Sequence, residues 1–220
     1  MPRLLFEKKG NAVWISHLDL MRVFQRAFKR AGLPLTHTHG FNPRPSVSIA
    51  LPLSVGIESS CELLDFNLDG ESVPNDEIVR RLNDTLVAGI KVQQVYEDGR
   101  KLKHLSYLQC GLTLEFDRGV PDGAKKAMEA LLSQESVIVP KKTKSNGIQD
   151  QNITPMIRRF RVEQSDEQTL GIEALVCCQN PTLNPMQIVK AIELYLPQYP
   201  FDFAKCCRRE IYDQEEEIFR

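Results

Sequence analysis

The stretch Ser16-His17-Leu18-Asp19-Leu20-Met21-Arg22-Val23-Phe24-Gln25-Arg26-Ala27-Phe28-Lys29-Arg30-Ala31-Gly32-Leu33-Pro34 decides the fold. Ser16 followed three residues later by Asp19 resembles a capping box, and Leu20, Phe24, Ala27, Phe28 and Ala31 recur at helical spacing. Gly32 and Pro34 end the run. On the opposite face Arg22, Arg26, Lys29 and Arg30 stand at i, i+4, i+7 and i+8, a basic stripe of about two turns. A helix with one apolar face has to cover something, so the segments around it are read for strands.

Residues 3 to 9 read as a short strand before the helix. Beyond it Val47, Ile49, Leu51, Leu53 and Val55 alternate strictly, the pattern of a half-buried strand, until Gly56 breaks it. Leu64, Phe66 and Leu68 continue as a return strand, Ile78, Leu82 and Leu86 mark a second helix capped near Asn75, and Ile90 to Val95 supplies another strand. This order, β-α-β-β-α-β, is the ferredoxin-like motif.

The second half repeats the order. Leu108, Cys110, Leu112, Leu114 and Phe116 alternate, and Pro121 opens a helix through Ala127, Met128 and Leu131. A polar basic loop around Lys141, Lys142, Lys144, Asn146 and Gly147 separates strands near 136 to 140 and 155 to 163. Ile172, Ala174, Val176 and Cys178 form a further strand. Asn184-Pro185 starts a helix through Ile188, Ile192 and Leu196, and residues 201 to 212 close the unit. The expected fold class is α+β: two tandem ferredoxin-like units with antiparallel sheets, residues 1–100 and 101–220, joined around 97 to 104.

Charge is unevenly spread along the chain. The whole carries 28 Lys and Arg against 29 Asp and Glu, but residues 1 to 50 hold eight against two, net +6, which leaves 20 against 27, net −7, for the rest. An anionic partner is therefore expected to meet the N-terminal quarter, the bland alternative being a solvated basic helix. No stretch approaches the ~18 to 20 apolar residues of a membrane span, and the start lacks the apolar run of a signal peptide, so the expected location is cytoplasmic with no membrane partner. Six cysteines in such a chain should be reduced and packed as small apolar residues. Cys177-Cys178 and Cys206-Cys207 are adjacent pairs that point to opposite faces of a strand, unlike the C-x2-C spacing of a zinc turn, so no metal is expected. Phosphate-loop, dinucleotide and G-x-S-x-G fingerprints are absent, and no cofactor is expected.

Catalytic candidates are the histidines His17 and His39, with His37 beside the latter, whose imidazoles could act as acid or base. The loop Gly40-Phe41-Asn42-Pro43-Arg44-Pro45 is the most unusual stretch: its two prolines stiffen the backbone around Arg44, a way to present a guanidinium to a phosphate. The anion-binding or RNA-binding set is thus Ser16, Arg22, Arg26, Lys29, Arg30, Asn42 and Arg44. If the loop folds back over the N-terminal end of the first helix, His17 and Arg44 converge on one pocket; the alternative is an internal Arg44–Asp19 pair.

Ser16-His17-Leu18-Asp19-Leu20-Met21-Arg22, Gly40-Phe41-Asn42-Pro43-Arg44-Pro45 and Leu51-Pro52-Leu53-Ser54-Val55-Gly56 with Ser60 and Glu62 strongly resemble the radical SAM-linked protein family, a domain of unknown function. The resemblance runs over nearly the whole chain, to Arg208-Arg209-Glu210-Ile211-Tyr212. Members of that family look like stand-alone proteins or C-terminal extensions of cobalamin-binding radical SAM proteins, so the resemblance implies a radical SAM protein as partner. The chain has no C-x3-C-x2-C motif to hold an iron–sulfur cluster of its own. The expected role is an accessory module that binds transfer or ribosomal RNA and presents it to that partner, an analogy drawn from fold and charge. The alternative is an RNA-processing enzyme in which His17 or His39 is the acid or base. Few exposed aromatics are expected beside the basic stripe, which argues against single-strand stacking.

Overall fold

The computed structural model describes every residue except 40, 98 and 143–146, and it divides into two compact units. The first comprises Met1–His104 with Phe219–Arg220, the second Leu105–Ile218. A linear division near residue 100 does not anticipate that Phe219 belongs to the first unit, where it is fully buried under the guanidinium groups of Arg3 and Arg100, 5.5 and 5.4 Å from its ring centre. Of the residues singled out in the sequence, Gly40, Lys144 and Asn146 lie outside the described residues.

In the first unit β1 (Arg3–Lys8), α1 (His17–Arg30), β2 (Val47–Ile49), β3 (Glu58–Phe66), α2 (Asn75–Asn83) and β4 (Ile90–Tyr96) follow one another. The strands lie in the order β4-β1-β3-β2, and each neighbouring pair is antiparallel. Alternation along β1 turns Leu4 and Phe6 to the helix side, opposite Leu64 and Glu62 of β3. Leu20, Phe24, Ala27 and Phe28 of α1 bury against that face. Phe24 meets Phe6 edge to face at 4.7 Å and Phe28 meets Phe66 at 5.0 Å. Each such ring contributes about 1.5–3 kcal/mol by burial, so this contact fixes where α1 lies.

The second unit threads β5 (Tyr107–Glu115), α3 (Ala124–Leu132), β6 (Ile138–Lys142), β7 (Ile148–Asn152), β8 (Ile157–Gln164), β9 (Thr169–Cys177), α4 (Met186–Tyr195) and β10 (Phe203–Tyr212). Its sheet runs β10-β5-β9-β8, again antiparallel throughout. The fold is therefore mixed α+β with antiparallel sheets.

Two expectations are corrected. The alternating run from Val47 to Val55 is a strand only to Ile49: Leu51 adopts a positive φ of 48°, Pro52 has no N–H to pair, and Val55 is exposed. The strand near 136 to 140 does not enter the main sheet. It is β6, paired with β7 in a separate two-stranded sheet. The sequence of β7, Ile148 to Asn152, has no apolar alternation because no residue of it is fully buried. No helix among the described residues is long and apolar enough to cross a membrane.

Candidate functional site

The first helix is capped as its sequence implies. Ser16 Oγ accepts from the Asp19 N–H at 3.2 Å and donates to the Asp19 carboxylate at 2.8 Å, and Arg22 donates to the same carboxylate at 2.8 Å. These bonds, Ser16 first, hold the Asp19 carboxyl below its ordinary range. A carboxylate thus already occupies the positive end of the helix, and Ser16 serves as a cap rather than an anion-binding group.

Beneath this end lies a buried ionic cluster. Lys8 is 1% exposed and Glu62 is fully buried. Lys8 Nζ donates to Val13 O at 3.2 Å and Ile15 O at 2.9 Å, the carbonyls on either side of Trp14. Burial pushes the Lys8 ammonium down from its ordinary value, and the Glu62 charge opposes that shift. His17 Nδ1 is buried nearby in sequence, with no hydrogen-bond partner among the described residues. The sequence carried a signal for this cluster that residue type alone obscured. Lys8 is in phase with Leu4 and Phe6 along β1, and Glu62 with Leu64 and Phe66 along β3, so alternation already turns both toward the core.

Along α1 the four residues of the basic stripe are all exposed. Two of them are engaged: Arg22 with Asp19, and Arg30 with Thr85 O at 2.7 Å. Arg26 and Lys29 form no ion pair or side-chain hydrogen bond among the described residues, and neither does the side chain of Arg44 or Asn42.

The loop after α1 is closed by a bridge between His37 and Pro45 and by paired bonds of Thr38 and Arg44: Thr38 N–H donates to Arg44 O at 2.8 Å, and Arg44 N–H donates to Thr38 Oγ1 at 3.0 Å. Its stem sits beside the C-terminal half of α1. There His37 and Pro45 line a cleft of about 410 Å³ with Gln25, Lys29 and the turn Gly32–Leu35. The expected convergence of His17 and Arg44 is thereby corrected. Lys29 lies twelve residues beyond His17, roughly 18 Å along the helix, and the loop meets that far end. The Arg44–Asp19 pair does not form either, since Asp19 is held by Ser16 and Arg22. His17 in the first turn and His39 in the exposed loop belong to opposite ends of the helix, so the geometry assembles no two-histidine acid–base site.

In the second unit three of the five thiols are core residues. Cys110, Cys178 and Cys206 are buried, and burial pushes Cys206 up to about 12, Cys178 up to about 11 and Cys110 higher still. Such thiols are poor nucleophiles. Among the described residues no group of three or more His, Cys, Asp or Glu side chains is placed to hold a metal.

Residues 2–185 match the model of a family described as an uncharacterized protein conserved in bacteria, DUF2344. No curated protein matches the chain. Among solved structures it is similar to a chain of a Cbf5-Nop10-Gar1 complex, with a TM-score of 0.52 and 7% identity, over 96% of this chain and 48% of that one. At that identity the likeness concerns the α+β fold, and this chain spans about half the other's length. An unknown protein from Galdieria sulphuraria gives a TM-score of 0.27 at 9% identity, over 94% of this chain and 96% of that one.

Proposed function

We propose for this chain, which belongs to the DUF2344 family of uncharacterized bacterial proteins, a binding rather than a catalytic role: its first unit holds RNA along α1 and the 37–45 loop. The observation that carries this reading is the set of uncommitted cations Arg26, Lys29 and Arg44 at the far end of α1, around a cleft floored by Leu33, Pro34, Leu35 and Pro45. Exposed guanidinium and ammonium groups without carboxylate partners suit a phosphate backbone, and the apolar floor suits the flat edge of a base. The strand orders β4-β1-β3-β2 and β10-β5-β9-β8 support reading both units as ferredoxin-like. Presentation of the RNA, transfer or ribosomal, to a radical SAM protein goes with this proposal; it rests on the motif resemblance alone.

The test is a salt titration. Wild-type protein is expected to bind single-stranded RNA with an affinity that falls linearly in log salt. The variant Arg26→Ala/Lys29→Ala/Arg44→Ala should bind weakly and flatten the slope by about 0.7 for each lost phosphate contact. Incubation of total RNA with the protein alone should yield no cleaved or modified product. An unchanged affinity and slope in the triple variant, folded by circular dichroism, would remove the reading.

A further inference from the structure

Trp14 is the sole tryptophan of the chain, and it is 69% exposed. It is nevertheless held firmly. Lys8 reaches from the core to Val13 O and Ile15 O, the Gly56 N–H donates to Val13 O at 2.9 Å, and the Ile15 N–H donates to Ala12 O at 3.0 Å. The peptide groups on both sides of Trp14 are therefore pinned, the first of them twice. The six-membered ring rests on Gly56, where a Cβ would stand 3.6 Å from Cζ3 and 3.9 Å from Cη2, while Gly56 itself needs its glycine for a φ of +85°. Val55, which precedes Gly56, and Leu18, four residues after Trp14, are both about half exposed or more. Loose exposed side chains are ordinary; an indole fixed at its root by a buried lysine and left open to solvent is a prepared surface.

We propose that Trp14 is a stacking platform for one base of the single-stranded RNA held along α1, an inference that rests on the binding role above. Charge complementarity selects this occupant. The platform stands before a helix whose exposed face carries Arg26 and Lys29, cations unpaired among the described residues, which repel a basic protein surface and attract a phosphodiester chain. A pinned indole surrenders only two χ angles on binding, and base–aromatic stacking is indifferent to base identity, so the contact adds affinity without specificity. The few exposed aromatics around this helix are Trp14, before its Ser16 cap, and Phe41, in the loop that follows it.

A lone tryptophan makes the test direct, because intrinsic indole emission reports Trp14 and nothing else. Titration of wild-type protein with an unstructured oligoribonucleotide of about 12 residues should quench that emission saturably. Trp14→Ala should weaken binding by roughly 5- to 150-fold, with the salt slope unchanged, while Trp14→Phe keeps most of the affinity. The two readings fail differently. If the wild type binds RNA and the cation triple variant loses it, yet Trp14→Ala binds normally and emission does not move, the stacking platform is overturned and the binding role stands. If the wild type binds no RNA, both fall. A saturable emission change with a protein partner in place of RNA would also overturn the inference and assign the patch to a protein interface.

Discussion

Apart from the β6–β7 pair inserted in the second, the two units thread their strands and two helices in the same order but bury different chemistry. The first closes over an ammonium and a carboxylate, Lys8 and Glu62, beneath the start of its long helix; the second closes over three thiols, Cys110, Cys178 and Cys206. A thiol packs as a small apolar group and imposes no direction on its surroundings. A buried ammonium does impose one, since it must find acceptors, and here the acceptors are the carbonyls that flank Trp14. The same topology thus serves as filler in one unit and as a jig for a surface residue in the other.

The largest effect that separates the units should come from alkali. A thiol whose folded pKa is raised contributes stability that is fully present below the unfolded value near 9 and is lost as pH rises toward the folded value. Each buried thiol of the second unit would forfeit up to about 1.4 kcal/mol per pH unit in that window. Lys8 has the opposite sign: its folded pKa is depressed, so the first unit gains stability as pH rises through the range below 10.5. As pH is raised above 9, thiol labelling, which reports the second unit at five of six cysteines, should accelerate before Trp14 emission changes. Simultaneous loss of both signals would mean that the cores respond as one.

Next in size is the ionic cluster. Lys8→Met leaves the Glu62 carboxylate buried beside an apolar chain and should lower unfolding free energy in urea by about 3–5 kcal/mol. Lys8→Met/Glu62→Gln should recover more than half of that, because the uncompensated charge is gone. A single-variant loss below about 1 kcal/mol would show that the cluster is solvated and that the contrast with the thiol core is superficial.

How far the sequence could be read follows from where periodicity is enforced. The cap at Ser16, the helix to Arg30 and the apolar faces of β1, β3 and β4 were legible because burial against one sheet face demands every second or every third-to-fourth residue. Alternation at Leu51, Leu53 and Val55 misled, since the segment is a loop in which only Leu53 of the three is buried and Val55 is exposed. β7 was hidden for the converse reason: none of Ile148-Gln149-Asp150-Gln151-Asn152 is fully buried, so its pairing with β6 imposes no apolar alternation. Of the candidate site, the exposed cations of α1 could be placed from sequence. The loop could not, because a stiff segment of that length reaches either end of a fourteen-residue helix, and only tertiary contact chooses.

The smallest expected effect concerns the cap that the sequence did reveal. Ser16→Ala removes two hydrogen bonds to Asp19 at an exposed helix end and should cost about 1 kcal/mol of the first unit's stability, measured by the urea midpoint, with no change in the second unit. A loss as large as that of Lys8→Met would place the anchor of Trp14 at the cap instead of at the buried lysine.

The burial of Phe219 within the first unit bears on synthesis. A ribosome releases the first 104 residues, then the whole of the second unit, and only afterwards the ring that fills the space under Arg3 and Arg100. N-terminal units ordinarily fold first as the chain emerges. Here the earliest unit made is the last to be completed. The nascent protein holds an unfilled aromatic socket until translation reaches Phe219, and a chain stalled just short of it carries a finished second unit and an unsealed first one.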